Sequence, residues 1–204
     1  MTYDPDFFEK KITRIFSEKK TILDIGGGLR VNLTRNSRFD PSSGWLAPLM
    51  ERVDYKVLDK VPDYHPDIVG DIHALPLGNS SIDAVICMSV LEHVEDPLLA
   101  VREIYRVLKP NGYAFLYVPF LYYYHAEKSY YKDFWRFTKD AVDYMCGSFA
   151  KIERMPARGA LEAWLKISPL GRSALVCKAA HMLDLLTGKM TSNQVSGYNI
   201  FLQK

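Results

Sequence analysis

Residues 21–30, TILDIGGGLR, set an aspartate two positions ahead of three consecutive glycines, directly behind a short apolar run. Glycine admits positive backbone angles and has no side chain to hold a ligand off the main chain. Where such a turn receives a pyrophosphate, the phosphates lie on helix-end amides, and a carboxylate at the junction would repel them. Asp24 with Gly26, Gly27 and Gly28 therefore suits a small molecule that carries an ammonium group and no phosphate at that point. The plainer reading is a tight turn.

Two later segments also hold reactive groups. SVLEHVEDP, residues 89–97, offers Ser89, Glu92 and His93. Histidine titrates near neutrality, so His93 is a candidate general base; it also fits a helix-start residue packed under a loop. FLYYYHAEKSYYKDFWRF, residues 120–137, sets His125, Asp133, Trp135 and Arg136 among Tyr122, Tyr123, Tyr124, Tyr130 and Tyr131. Aromatic faces and a planar guanidinium favour sugar rings and phosphates. The same residues would serve as an aromatic cover on a sheet edge, with Arg136 paired to Asp133 or to a strand carbonyl.

The elements that must position these groups alternate between strand and helix. Phe7, Phe8, Ile12, Ile15 and Phe16 share one face of a helix over residues 4–19. Strands are predicted at 21–25, in DYKVLD, briefly in PDIVGD, and over 82–90, whose near-continuous apolar run fits a strand covered on both faces. SGWLAPLMERV predicts a short helix. DPLLAVREIYRVLKPNG predicts a longer one with proline in its first turn and a Pro-Asn-Gly stop, before a strand in YAFLYVPF. Thr138 predicts the N-cap of a helix over 139–146. A strand at 149–155, two helices between about 157 and 187, and a strand in SGYNIFLQ complete a parallel sheet wound on both faces.

The 204 residues fit one domain, and the formal charge of +2, from 26 basic and 24 acidic side chains, speaks against a nucleic-acid binder. Cys87, Cys146 and Cys177 are far apart and odd in number, which suggests neither a disulfide framework nor a zinc site. The acidic, aromatic N-terminus lacks the pattern of an export signal, and a cytoplasmic protein is expected. In residues 151–190, Lys151, Arg154, Arg158, Lys166, Arg172, Lys178 and Lys189 outnumber Glu153, Glu162 and Asp184. A helix there with a polar line at Lys178, His181 and Asp184 is expected to cover core. It also suits a peripheral membrane contact or an acidic, lipid-linked acceptor.

LDIGGG resembles motif I of the class I S-adenosylmethionine-dependent methyltransferases, with Arg30 where a third glycine usually falls. KVLDK and GDIHALPLGNSSIDAVICMSVLEHVEDP are similar, in the same order, to later stretches of that family, and EIYRVLKPNGYAFLYVP resembles its type 11 subgroup. The resemblance implies a Rossmann-like fold, α/β, with a seven-stranded, mostly parallel sheet, helices on both faces and an antiparallel last strand. It implies S-adenosyl-L-methionine as cofactor, Asp59 on the ribose hydroxyls, Asp71 on the adenine amino group, the Ile72 amide facing the ring, and Ser89 beside the methionine part. The span from Gly28 to Asp59 exceeds the usual spacing of about 20, so an inserted loop is expected at about 30–43, with a helical cap at about 157–187. HAEKSYYKDFWRFT is similar to the H-x-x-x-D-x-W-R-F-T stretch of methyltransferases associated with cell-surface glycans, which adds His125, Asp133 and Arg136 to His93 as catalytic candidates. Glu92-His93 is similar to the metal site E-x-x-E-H of RNA 2′-O-methyltransferases, but Ser89 replaces the first glutamate and no metal is expected. The expected function is methyl transfer to a small or glycan-type acceptor at oxygen. The alternative is a non-catalytic binding or regulatory module of the same fold.

Overall fold

The computed structural model describes residues 2–31 and 40–204. Most of the expected insertion, residues 32–39, lies outside them. Helix α1 (Phe7–Glu18) turns Phe7, Ile12, Ile15 and Phe16 inward and leads into β1 (Thr21–Ile25). After a 3-10 segment at Pro41–Leu46 and the short α2 (Ala47–Met50) come β2 (Asp54–Asp59), β3 (Ile68–Val69) and β4 (Ile82–Met88). Then follow α3 (Pro97–Val107), β5 (Leu108–Pro119), α4 (Lys139–Met145), β6 (Lys151–Pro156), α5 (Ala160–Lys166), α6 (Ala174–Leu186) and β7 (Gly197–Gln203).

The strands form one sheet in the order β3-β2-β1-β4-β5-β7-β6. The pairs from β3 through to β5 are parallel, and β7 runs antiparallel between β5 and β6. This is the sheet that the resemblance implied. Alternation along the central strands divides two cores. Leu23, Val85, Cys87 and Leu116 pack beneath α3 with Val101 and Ile104, while Ile22, Ala84, Ile86 and Phe115 pack beneath α1 with Ile12 and Ile15. A strand buried on both faces cannot alternate with polar residues, hence the unbroken apolar run of β4. Asp96 caps α3 by accepting from the Leu99 amide at 2.9 Å, and Thr138 caps α4 through the Ala141 amide at 3.2 Å.

Two local expectations are corrected. The Pro-Asn-Gly sequence lies inside β5 rather than ahead of it. Leu108 already pairs with Ile82, the register then shifts, and Asn111 takes a φ of 61°, so the turn residues form an irregularity within a strand that starts early. Helix α6 covers little core. It buries Cys177, Ala180 and Asp184 and leaves Leu175, Met182 and Leu186 in solvent, the first and last more than three-quarters exposed. The inward Asp184 accepts from the Leu161 and Glu162 amides at 3.0 and 2.9 Å and so caps α5 from the neighbouring helix. His181 Nδ1 meets Glu162 at 3.0 Å beside it. Of the polar line on this helix, Asp184 is buried, His181 half-buried and Lys178 exposed.

Asp83 ties the strand starts together, accepting from the Thr21 amide, the Thr21 hydroxyl and Lys109 Nζ at 2.8–2.9 Å. Partial burial raises its carboxyl pKa, but these donors outweigh that and hold it at about 2, against an ordinary 3.8. A depressed folded pKa gives stability that is complete above about pH 4 and lost as the pH falls through about 2. Asp83→Asn is expected to remove about 2 kcal/mol at neutral pH and to flatten the acid limb of the stability curve in that window. Chemical denaturation at a series of pH values checks both.

Candidate active site

In a doubly wound sheet, ligands sit beyond the carboxyl ends of the strands where the winding reverses. Here that point lies between β1 and β4, and the glycine turn is fitted to it. Gly26 and Gly27 have φ of 81° and 64°, a region that favours glycine, and a Cβ on Gly26 would fall 2.5 Å from Val90 Cγ2. Gly28 has no such angle, but a Cβ there would lie 2.6 Å from Met88 Cβ. The turn is thus bare for two reasons: its backbone angles, and the close approach of the chain leaving β4.

Asp24 is fully buried beneath this turn. Its oxygens accept from the Gly28 and Leu29 amides at 3.1 and 3.2 Å and from the Tyr55 hydroxyl at 2.5 Å. The charge inferred to attract an ammonium group is engaged in holding the turn's shape. Its partner Tyr55, on β2, was not singled out in the sequence.

A cavity of about 690 Å³ opens above these strand ends. Gly26, Asp59, Asp71, Ile72, Ser89 and His93 line it, whereas Asp24, Gly27 and Gly28 stand behind. Asp59 closes β2 and accepts from the Val61 amide at 2.9 Å. Asp71 caps a turn at Ile72–Ala74, accepting from the His73 amide at 2.9 Å, and pairs with Lys60 at 3.0 Å. Lys60 is a cavity residue that the motif comparison passed over. Ser89 follows β4 with a φ of 53°, its amide donating to the Tyr117 carbonyl.

Residues 124–134 roof the cavity. The Tyr130 hydroxyl donates to Asp63 at 3.0 Å and its ring meets that of Tyr64, which fastens the roof to the opposite rim. The roof is organised by Arg136. Its Nε donates to the Tyr122 carbonyl, one terminal nitrogen to Asp133 Oδ1 and the Trp135 carbonyl, the other to Asp133 Oδ2 and the Tyr123 carbonyl, at 2.6–3.2 Å. A guanidinium has five N–H donors, and all five are spent here. Arg136 and Asp133, taken as catalytic candidates from the sequence, are engaged with each other and with the roof's own backbone. Neither lines the cavity. The Arg136 hydrogen bonds hold the buried Asp133 carboxyl at about 2.

Asp133 in turn accepts from the His125 amide at 2.8 Å and lies 3.2 Å from His125 Nδ1. This sets the His125 ring edge-on to that of His93, with centroids 4.8 Å apart. Both imidazoles approach Glu92, whose side chain is 1% exposed: His125 Nε2 at 3.6 Å and His93 Nε2 at 4.0 Å from Oε1. The Glu92 carboxylate raises the pKa of His125, against the opposing effect of burial. His93, His125, Asp133 and Arg136 thus form one chain of contacts that ends at the cavity wall, with Glu92 at its centre.

The family described as a methyltransferase domain matches residues 39–116. A ubiquinone biosynthesis O-methyltransferase from Xanthomonas oryzae is 48% identical over 54 residues, which are 26% of this chain and 22% of that protein. Matches to curated relatives span as little as 13% of their length. Among solved structures, a SAM-dependent methyltransferase from Archaeoglobus fulgidus has a TM-score of 0.58 at 14% identity, covering 98% of this chain and 95% of that one. Phosphoethanolamine N-methyltransferase 2 of Haemonchus contortus, in complex with S-adenosyl-L-methionine, has a TM-score of 0.52 at 15% identity, covering 97% and 52%. Identities this low speak for the fold. The chain therefore has the fold of S-adenosylmethionine-dependent methyltransferases, and residues 39–116 match the methyltransferase domain family.

Proposed function

We propose that the protein transfers a methyl group from S-adenosyl-L-methionine to an oxygen of a small or glycan-type acceptor in the cytoplasm. One observation carries the cofactor half of this reading: the cavity at the reversal point has the bare main chain of Gly26 at one end, and the carboxylates of Asp59 and Asp71 with the buried Ile72 at the other. These residues fit the cofactor. Asp59 would hold the ribose hydroxyls, Asp71 and Ile72 the adenine, and Gly26 and Ser89 the amino-acid part. Asp24 acts from beneath by fixing the turn.

The cofactor supplies an electrophilic methyl carbon on a sulfonium. The chain supplies alignment, a roof over the site, and a route for the acceptor's proton. That route starts at the Glu92–His93–His125 cluster, where His93 reaches the cavity. The short match to an O-methyltransferase supports oxygen as the target.

The cap formed by α5 and α6 suggests where the acceptor resides. Among the described residues no helix is long and apolar enough to cross a membrane. Yet Trp164, Leu175, Met182 and Leu186 are exposed alongside the exposed Arg172, Lys178 and Lys189. Apolar side chains among cations suit an anionic bilayer surface, and an acceptor on a lipid carrier is consistent with it.

Asp59→Ala is expected to weaken S-adenosylhomocysteine binding by about 10- to 100-fold, the worth of a charge-assisted hydrogen-bond pair, measured by isothermal titration. Unaltered affinity would remove Asp59 from the site. In co-sedimentation, the protein should bind vesicles containing phosphatidylglycerol and not pure phosphatidylcholine, and a Leu175→Glu, Leu186→Glu double variant should lose that binding. Equal partition of both proteins would refute the membrane contact.

A further inference from the structure

We propose that Glu92, His93 and His125 form a binding site for a divalent first-row transition metal. Their donor atoms, one carboxylate oxygen and two imidazole nitrogens, all lie within 4.8 Å of one another. Glu92 supplies the first argument. Both of its carboxylate oxygens are buried and neither has a hydrogen-bond donor. A buried carboxylate without donors carries a large desolvation cost unless a positive charge stands against it. The backbone carbonyl of the same residue accepts from the Phe134 and Trp135 amides, which holds the residue in place while its side-chain charge is met by no hydrogen bond.

The two histidines supply the second argument. His93 Nδ1 lies 2.7 Å from the Lys132 carbonyl, and His125 Nδ1 lies 3.1 Å from the Tyr123 carbonyl and 3.2 Å from Asp133. A carbonyl only accepts, so each Nδ1 carries the proton, and in the neutral ring the lone pair lies on Nε2, the atom that faces Glu92. Metal-bound histidines are fixed in this way, by a carbonyl or carboxylate on the other ring nitrogen. Asp133 is itself fixed by Arg136, so the support extends a further layer.

Two nitrogens and one carboxylate oxygen suit zinc, cobalt or iron(II) and disfavour magnesium and calcium, which take oxygen ligands. Because His93 lines the cavity, an ion held there stands at its wall, and its remaining positions would take water or an acceptor hydroxyl. A hydroxyl so bound loses its proton at lower pH. This last role rests on the methyl-transfer reading; the site does not.

The test is titration of the tag-free, EDTA-stripped chain with cobalt(II), read by its visible ligand-field bands and by calorimetry, with S-adenosylhomocysteine binding measured in parallel as the control for the fold and the cofactor site. One equivalent per chain is expected, with no response to magnesium. Glu92→Gln and His125→Asn should each abolish cobalt binding while retaining S-adenosylhomocysteine binding. Glu92→Gln should also melt no lower than the metal-free parent, since it replaces an orphaned charge by a neutral isostere. Absence of cobalt binding, an equal response to magnesium, or binding that survives both substitutions would overturn the site and leave the His125 imidazolium as the partner of Glu92. Loss of S-adenosylhomocysteine binding with cobalt binding intact would instead strike the cofactor reading alone.

Discussion

A carboxylate buried at the carboxyl edge of a parallel sheet has to be matched by donors or by positive charge, and this chain places one beside each of its two central strands. Asp24 at the end of β1 is answered by two amides and a phenol. Those contacts draw the glycine turn back against the chain leaving β4 and set the floor of the cavity. Glu92, just beyond β4, has two imidazoles facing it and no hydrogen-bond donor. The first carboxylate is matched by hydrogen-bond donors, the second by neighbouring imidazoles alone.

The segment after β5 connects these two halves. It contains no regular element, and a loop without one must satisfy its backbone polar groups from side chains. Arg136 does much of this, covering three carbonyls and both oxygens of Asp133 with one planar group. Lysine could not replace it, since a single ammonium lacks the fixed fork that reaches all five acceptors. The same clamp orients His125, so the integrity of the roof and the placement of a reactive ring depend on one side chain.

The fold was largely legible in the sequence because its signals are local. The unbroken apolar run of β4, the proline and capping aspartate of α3 and the threonine cap of α4 each report their own backbone. What failed depended on distant partners. The Pro-Asn-Gly turn became part of β5 because Leu108 finds Ile82 across the sheet, and nothing within that stretch says so. Helix α6 buries Cys177 and Ala180 together with Asp184, which turns inward because it caps α5. In the site, the motif resemblance singled out Asp59, Asp71, Ile72 and Ser89, and the fold brings them to one cavity. The isolation of Glu92, the support of Asp24 by Tyr55 and the complete engagement of Arg136 were not, because each arises from chain segments that meet only after folding.

The roof has one further consequence. Tyr130, which fastens it to Asp63 over the cavity, and His125, which faces Glu92, ride on the same short stretch of chain. Any swing of that stretch wide enough to let a large ligand pass beneath Tyr130 also withdraws an imidazole from the carboxylate. Passage beneath Tyr130 and the approach of His125 to Glu92 thus depend on one short stretch of chain.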